Sequence, residues 1–182
     1  MKMTILADYE IEHLVKQQDM IAPFAAKKHR DMGPSYGLSS FGYDIRLGDT
    51  FYRYKRRRLL SPKVGASDND ITKIKTAALT LEPGEFVLAH SVEYFRMPND
   101  VCGIVKDKST YARLGIAVQN TVLEPSWEGQ ITLEISNHNN CPVELIAGSG
   151  IAQVLFLQGN APTQDYGRDG KYQKQKGVVL PR

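Results

Sequence analysis

The chain has 182 residues, of which 42% are apolar and 24% charged, and a formal net charge of +3. That length fills one domain with a real core, and the balance excludes a disordered chain, a repeat array and a strongly basic polyelectrolyte. No apolar run approaches the roughly 18 residues of a membrane-crossing helix, and the start MKMTILADYE lacks the apolar stretch of a secretion signal, so a cytoplasmic protein without a membrane partner is expected.

In chain order, residues 7–19 set Ile11, Leu14 and Val15 on one face with Asp8 as N-cap, the pattern of a short amphipathic helix and the only substantial one expected. The stretch YRYKRRR, residues 52–58, interleaves basic residues with tyrosines as nucleic-acid binders do. It is short, sits at an expected strand end and runs into the polar loop 67–70, so a solvated face or a contact between subunits outweighs a nucleic-acid partner. After Pro34, turn signals at Glu82-Pro83-Gly84, Pro98-Asn99-Asp100, Glu124-Pro125-Ser126, Asn139-Asn140 and Gly148-Ser149-Gly150 punctuate apolar runs. Those runs, 86–95, 101–105, 116–122, 130–136, 143–146 and 151–157, have the spacing of sandwich strands, with no alternation of strand and helix. The fold expected is mainly β, a distorted jelly-roll or β-sandwich barrel in one domain, 1–182. Cys102 and Cys141, with 38 residues between them, are expected as two buried free thiols. The run GRDGKYQKQKG, 167–177, rich in Gly, Lys and Gln, is expected to be mobile when nothing is bound: a disordered tail, or a basic lid over a phosphorylated ligand.

Two segments carry candidate chemistry. In Lys108-Ser109-Thr110-Tyr111-Ala112-Arg113-Leu114-Gly115, a strand leads into one helical turn closed by glycine, where a lysine, two hydroxyls and free N–H groups can meet an anion. The spacing is not that of a Walker loop, and an N-capping serine with a surface arginine is the plainer reading. Ser109 and Arg113, four apart, share a face. In WEGQITLEISN, residues 127–137, Ile131, Leu133 and Ile135 take one face of a strand and Thr132, Glu134 and Ser136 the other. Glu134 either wets the outside of a sheet or, in a pocket shared with Ser109 and Arg113, is an oriented general base. Periodicity leaves both open.

Taken together, SSFGYDIRLG (39–48), VEYFRMP (92–98), KSTYARLGI (108–116), LEPSWEGQITLEISN (123–137), GIAQVLF (150–156) and GKYQKQKGVVLP (170–181) resemble the dCTP deaminase family, whose fold is related to trimeric dUTPases. The resemblance spans nearly the whole chain. It implies hydrolysis of dCTP to dUTP and ammonia by a homotrimer with active sites between subunits. It also implies Glu134 as base towards a water attacking C4, Ser109 and Arg113 orienting water and carboxylate, and the main-chain carbonyl of Val122 polarising that water. The strand at Thr132 and Leu133 would meet the pyrimidine edge. Lys108, Ser109, Thr110, Gln153, Tyr166, Lys171 and Gln175 would contact the nucleotide and its phosphates, with Tyr111, Ala112 and Glu124 counted among the substrate-binding residues. Mg²⁺ would arrive with the triphosphate and not on protein side chains, feedback inhibition by dTTP would follow the family habit, and residues 167–182 would form the lid.

The residues add a check. The H-x-E and P-C-x-x-C of zinc-dependent cytidine deaminases are missing, and His13, His29, His90 and His138 are scattered, so no zinc is expected and a carboxylate must activate the water. Two departures stand out: Asp107 replaces the usual Gly, and Asn120-Thr121-Val122 replaces Val-Thr-Pro or Val-Thr-Ala. They leave open a modified cytosine nucleotide as substrate. Glu124, where many relatives have Asp, leaves open a bifunctional enzyme that also cleaves dUTP to dUMP and diphosphate. A non-catalytic nucleotide-binding trimer is the reading from another class.

Overall fold

The computed structural model describes residues 3–30, 33–55, 59–164 and 166–181. In order these form β1 (Thr4–Ile5), α1 (Asp8–Gln18), β2 (Ile21–Ala22), β3 (Gly37–Leu38), β4 (Tyr43–Arg46), β5 (Thr50–Tyr54), β6 (Ile71–Lys75), β7 (Ala78–Leu81), β8 (Phe86–Arg96) and β9 (Val101–Asp107). There follow α2 (Ser109–Ala112), β10 (Ile116–Val118), β11 (Val122–Leu123), β12 (Glu128–Asn137), β13 (Val143–Ile146), β14 (Gly150–Gln158) and α3 (Tyr166–Asp169).

Two antiparallel sheets divide the strands. One runs β11-β9-β14-β4-β3 with β1 added on β14, the other β10-β12-β8-β5-β6 with β2 added on β8, and β7 pairs with β13. The mainly β expectation holds. Alternation explains the layering: β8 and β12 bury every second side chain, and Phe51, Phe95, Leu133, Ile135, Val154 and Phe156 are fully buried in the shared core. The sheets are tied by a buried ion pair, Arg46 Nε to Glu93 Oε1 at 2.7 Å, while the other carboxylate oxygen accepts the Arg46 N–H at 2.9 Å. Burial pushes the Glu93 carboxyl above its ordinary range, and the Arg46 hydrogen bonds and charge oppose that rise.

Several expectations change in detail. Helix α1 is capped by Ala7, whose N–H donates to Glu10 Oε2 at 2.8 Å, so Asp8 is the first helical residue and its carboxylate accepts from Tyr9 N. The expected strand 116–122 is two: β10 joins β12 while β11 joins β9 in the other sheet. Seven strands before residue 82, β1 to β7, lie outside the expected runs, with only the end of β5 marked at 52–58, because stretches such as ITKIK alternate charge with only a few apolar residues. Cys102 is half-buried and Cys141 exposed, so the second thiol is not in the core. Residues 56–58 of the basic stretch lie outside the described residues.

The tail segment expected to be mobile is laid along β12 in this structure. Gln130 N donates to Gln175 O at 3.0 Å, Gln175 Nε2 to Gln130 O at 2.7 Å, and Gly177 N to Gln130 Oε1 at 2.7 Å. Glu128 N donates to Gln173 Oε1, and Trp127 Nε1 to Tyr172 O. A carboxamide carries a donor and an acceptor as a peptide group does, so a Gln-rich tail can extend a strand edge with its side chains. Gly129 makes room: its φ is +154°, and a Cβ there would stand 2.9 Å from Gln175 Cγ and 2.8 Å from Trp127 Cζ2.

Candidate functional site

Strand β12 presents Thr132 and Glu134 on the face opposite the core, and the neighbouring β8 opposes Leu88 to Glu134 and Phe86 to Ser136. Tyr54 of β5 stacks on Phe86 with ring centres 6.2 Å apart. These side chains wall a cavity of about 420 Å³ around Glu134, closed on other sides by Val122, Tyr166 and the docked tail at Gln175 and Val179. The apolar wall has an electrostatic consequence. Burial pushes the Glu134 carboxyl up to about 7, opposed only by a hydrogen bond from its own main chain. Its Oε2 is buried without a hydrogen-bond partner. A carboxylate that exchanges protons near neutrality, in a cavity with an open ligand volume, can serve both as base and as acid.

The break between β10 and β11 gives the cavity its other polar wall. Gln119 N donates to Glu134 O at 2.8 Å, ending the ladder, and Asn120 Nδ2 donates to Thr132 O at 2.7 Å. Val122 follows half-exposed on the rim, beside Glu124. Asp107, the residue in place of the usual glycine, is accounted for here: its Oδ1 accepts the Val118 N–H at 2.7 Å, tying the end of β9 to β10.

The candidate residues therefore fall into two places. Glu134, Val122, Glu124, Thr132, Tyr166 and Gln175 line the cavity. Ser109 and Arg113 do not; they sit exposed on the single turn of α2, with Arg113 N donating to Ser109 O at 3.1 Å. The pocket shared by all three within one chain is thus not formed in the subunit. Around α2 gathers a second cluster. Lys108 and Lys28 both pair with the Asp44 carboxylate, which is 2% exposed, and Gln153 sits opposite Asp44 in register with its Nε2 donating to Phe41 O. Thr110 and Ala112 are exposed beside them. Lys171 is exposed, its ammonium 5.4 Å above the Tyr172 ring.

Two candidates cannot act through their side chains in this subunit. Leu133 is fully buried in the core, and Tyr111 is 2% exposed with its hydroxyl accepting the Ile146 N–H at 3.1 Å. Residues the sequence reading passed over are Tyr54, Phe86 and Leu88 in the aromatic wall, and Asp44 and Lys28 beside α2. The period-two register of 86–95 against 130–136 held the signal for the wall; nothing local marked Asp44, whose partners come from segments 16 and 64 residues away.

The pattern of the family described as dCTP deaminase-like matches residues 5–159. A dCTP deaminase of Acidiphilium cryptum is 46% identical over 99% of this chain and all of its own length. Those of Gluconobacter oxydans and Helicobacter pylori are each 44% identical over 99% of this chain, covering 100% and 98% of their own lengths. Among solved structures, the 2′-deoxycytidine 5′-triphosphate deaminase of Agrobacterium tumefaciens superposes with a TM-score of 0.68 at 24% identity, over 87% of this chain and 49% of that one, a likeness of fold. On the family match and these full-length relatives, the chain belongs to the dCTP deaminase-like family.

Proposed function

We propose that the protein deaminates dCTP by hydrolysis, giving dUTP and ammonia. The observation that carries this is Glu134: a carboxyl lifted to about 7 by burial, in a cavity with an aromatic wall, on a chain of the dCTP deaminase-like family. Glu134 accepts a proton from a water molecule as its oxygen bonds to C4, delivers that proton to N3, and carries a second from the new hydroxyl to the departing amine. Water's oxygen stays on C4 and the amine leaves as ammonia, so one residue suffices as base and then as acid. The Val122 carbonyl polarises the water. The main chain at Thr132 and Leu133 holds the pyrimidine edge.

Ser109 and Arg113 enter this site from a second copy of the chain. Among the described residues no cation pairs with Glu134, and the carboxylate beside α2, Asp44, is already paired with Lys108 and Lys28, so each half lacks what the other offers. Exposed apolar side chains at Ile5, Ile104 and Val122, on strands of one sheet, supply a surface for such a contact. A homotrimer with three shared sites is the assembly we assign. Lys108, Thr110, Ala112 and Gln153 with the α2 cluster take the triphosphate, Mg²⁺ arriving as part of that substrate. Tyr111 contributes through its main chain. Tyr166, Lys171 and Gln175 close over the nucleotide as part of a lid, with Glu124 at the rim. We assign the protein to the cytoplasm, where deoxynucleotide pools lie, with dTTP as a feedback ligand at the same cavity.

Subunit mixing tests the shared site. Glu134→Gln and Arg113→Ala trimers should each be inactive towards dCTP, and dissociating and reassembling them together should restore about a quarter of the sites by random pairing. Failure of the mixture to regain activity, with hybrid trimers demonstrated, would overturn the shared site.

A further inference from the structure

The reaction poses a recognition problem, because substrate and product differ at one position: the ring enters with an amino group on C4 and leaves with an oxo group. An amino group offers two N–H donors; an oxo group offers none. The cavity holds two buried side-chain oxygens without hydrogen-bond partners among the described residues, Glu134 Oε2 and Asn120 Oδ1. Both are shielded from bulk water, so solvent does not satisfy them.

The orientation of the Asn120 amide follows from its other contact. Thr132 O can only accept, and it lies 2.7 Å from Asn120 Nδ2. Turning the amide over would face two acceptors, so the NH₂ must point to Thr132 and the oxygen away from it. Asn120 is placed for this by the break between β10 and β11: Gln119 pairs with Glu134, and the next side chain reaches back along β12 to Thr132. A residue needed only to cap Thr132 O would leave no unsatisfied atom behind; this one leaves an acceptor in the wall of the cavity that holds Glu134.

Resting on the deaminase reading, we propose that Asn120 is a specificity-determining residue that reads the substituent at C4 of the pyrimidine, its Oδ1 accepting one N–H of the amino group while Glu134 Oε2 faces the other. Conversion to the oxo group sets acceptor against acceptor and expels the product. Asn120 thus favours dCTP over dUTP in binding as well as in chemistry.

The test is competitive inhibition by dUTP of dCTP turnover, read as the ratio of the dUTP inhibition constant to KM for dCTP, in the wild-type trimer and in Asn120→Val. Loss of the acceptor should lower that ratio by about tenfold or more, dUTP gaining affinity relative to dCTP, since an unsatisfied buried acceptor costs on that order. A ratio unchanged within twofold would overturn the proposal and leave Asn120 as a cap on Thr132. Asn120→Ser, which is smaller and keeps a hydroxyl able to donate or accept, provides the same ratio if the valine variant fails to assemble; it should also fall, because a hydroxyl donates to the oxo group. Wild-type protein that turns over no dCTP would sink the deaminase reading itself, a different failure from an unchanged ratio.

Discussion

Replacing Gly129 by alanine should free the C-terminal tail while leaving the domain folded. The added Cβ would meet Trp127 Cζ2 at 2.8 Å and Gln175 Cγ at 2.9 Å, inside the distance that real Cβ contacts keep, and the residue sits at φ +154°. Trp127 is 5% exposed and wedged in the core, so it cannot swing away, whereas Gln175 belongs to a segment held on β12 by a few hydrogen bonds. The tail therefore yields. Only the clash with Gln175 is relieved by opening, about 2 kcal/mol on the scale of overpacking, and about 1.4 kcal/mol corresponds to tenfold, so the open population should rise by roughly 30-fold. Tryptic cleavage at Lys171, Lys174 and Lys176 reports that population when reclosing is fast relative to cutting. Cleavage in the tail should accelerate by about that factor with the far-UV spectrum unchanged. Cleavage at the wild-type rate, with alanine verified at 129, would refute the view that this glycine seats the tail.

Glu134→Gln should cut turnover by about 10² to 10⁴, the ordinary worth of a general base, with the oligomeric state by sedimentation unchanged from wild type; near-normal turnover would remove Glu134 from the chemistry. The same carboxyl gives a pH signature. Its folded value, about 7, lies above the ordinary 4.5, so burying it costs nothing below the ordinary value and the cost grows until pH passes 7. Dissociated Glu134→Gln subunits should thus match wild type in urea unfolding at pH 4 and exceed it at pH 8.5; equal stability at both would show that the burial carries no penalty. Glu93→Ala strands the Arg46 guanidinium between the sheets and should cost about 3 to 5 kcal/mol in the same assay, while a loss under 1 kcal/mol would mark that pair as dispensable. Tyr111→Phe removes the acceptor for Ile146 N–H and should lower stability by about 1 kcal/mol without changing KM for dCTP; a raised KM would return the Tyr111 hydroxyl to the substrate.

The β layering was legible because period-two burial leaves a strong mark in residues 86–95 and 130–136, and Glu134 stood out as a carboxylate on the outer face of such a strand. The strands from Tyr43 to Leu81 were hidden since their pairing partners, not their own residues, decide them: ITKIK in β6 is held by β5 alone. The division of 116–122 into β10 and β11 was equally invisible, as it depends on two sheets competing for one segment. That division creates the wall carrying Asn120 and Val122. Sequence spacing correctly joined Ser109 to Arg113, but it could not say that they stand apart from the Glu134 cavity of their own subunit, because spacing within one turn does not place that turn relative to another strand. The tail's glutamines belong to a run whose composition reads as a mobile tail or lid, and in this structure they serve as strand mimics along the free part of β12, a role its composition does not reveal.

The most direct test of the proposed activity is chromatographic analysis of the products formed by the purified protein from dCTP with Mg²⁺, with dUTP as a parallel substrate. The expected result is dUTP and equimolar ammonia from dCTP, with dUTP itself left intact. Release of dUMP and diphosphate from both nucleotides would contradict a deaminase that stops at dUTP, and unchanged dCTP would contradict the function assigned to Glu134.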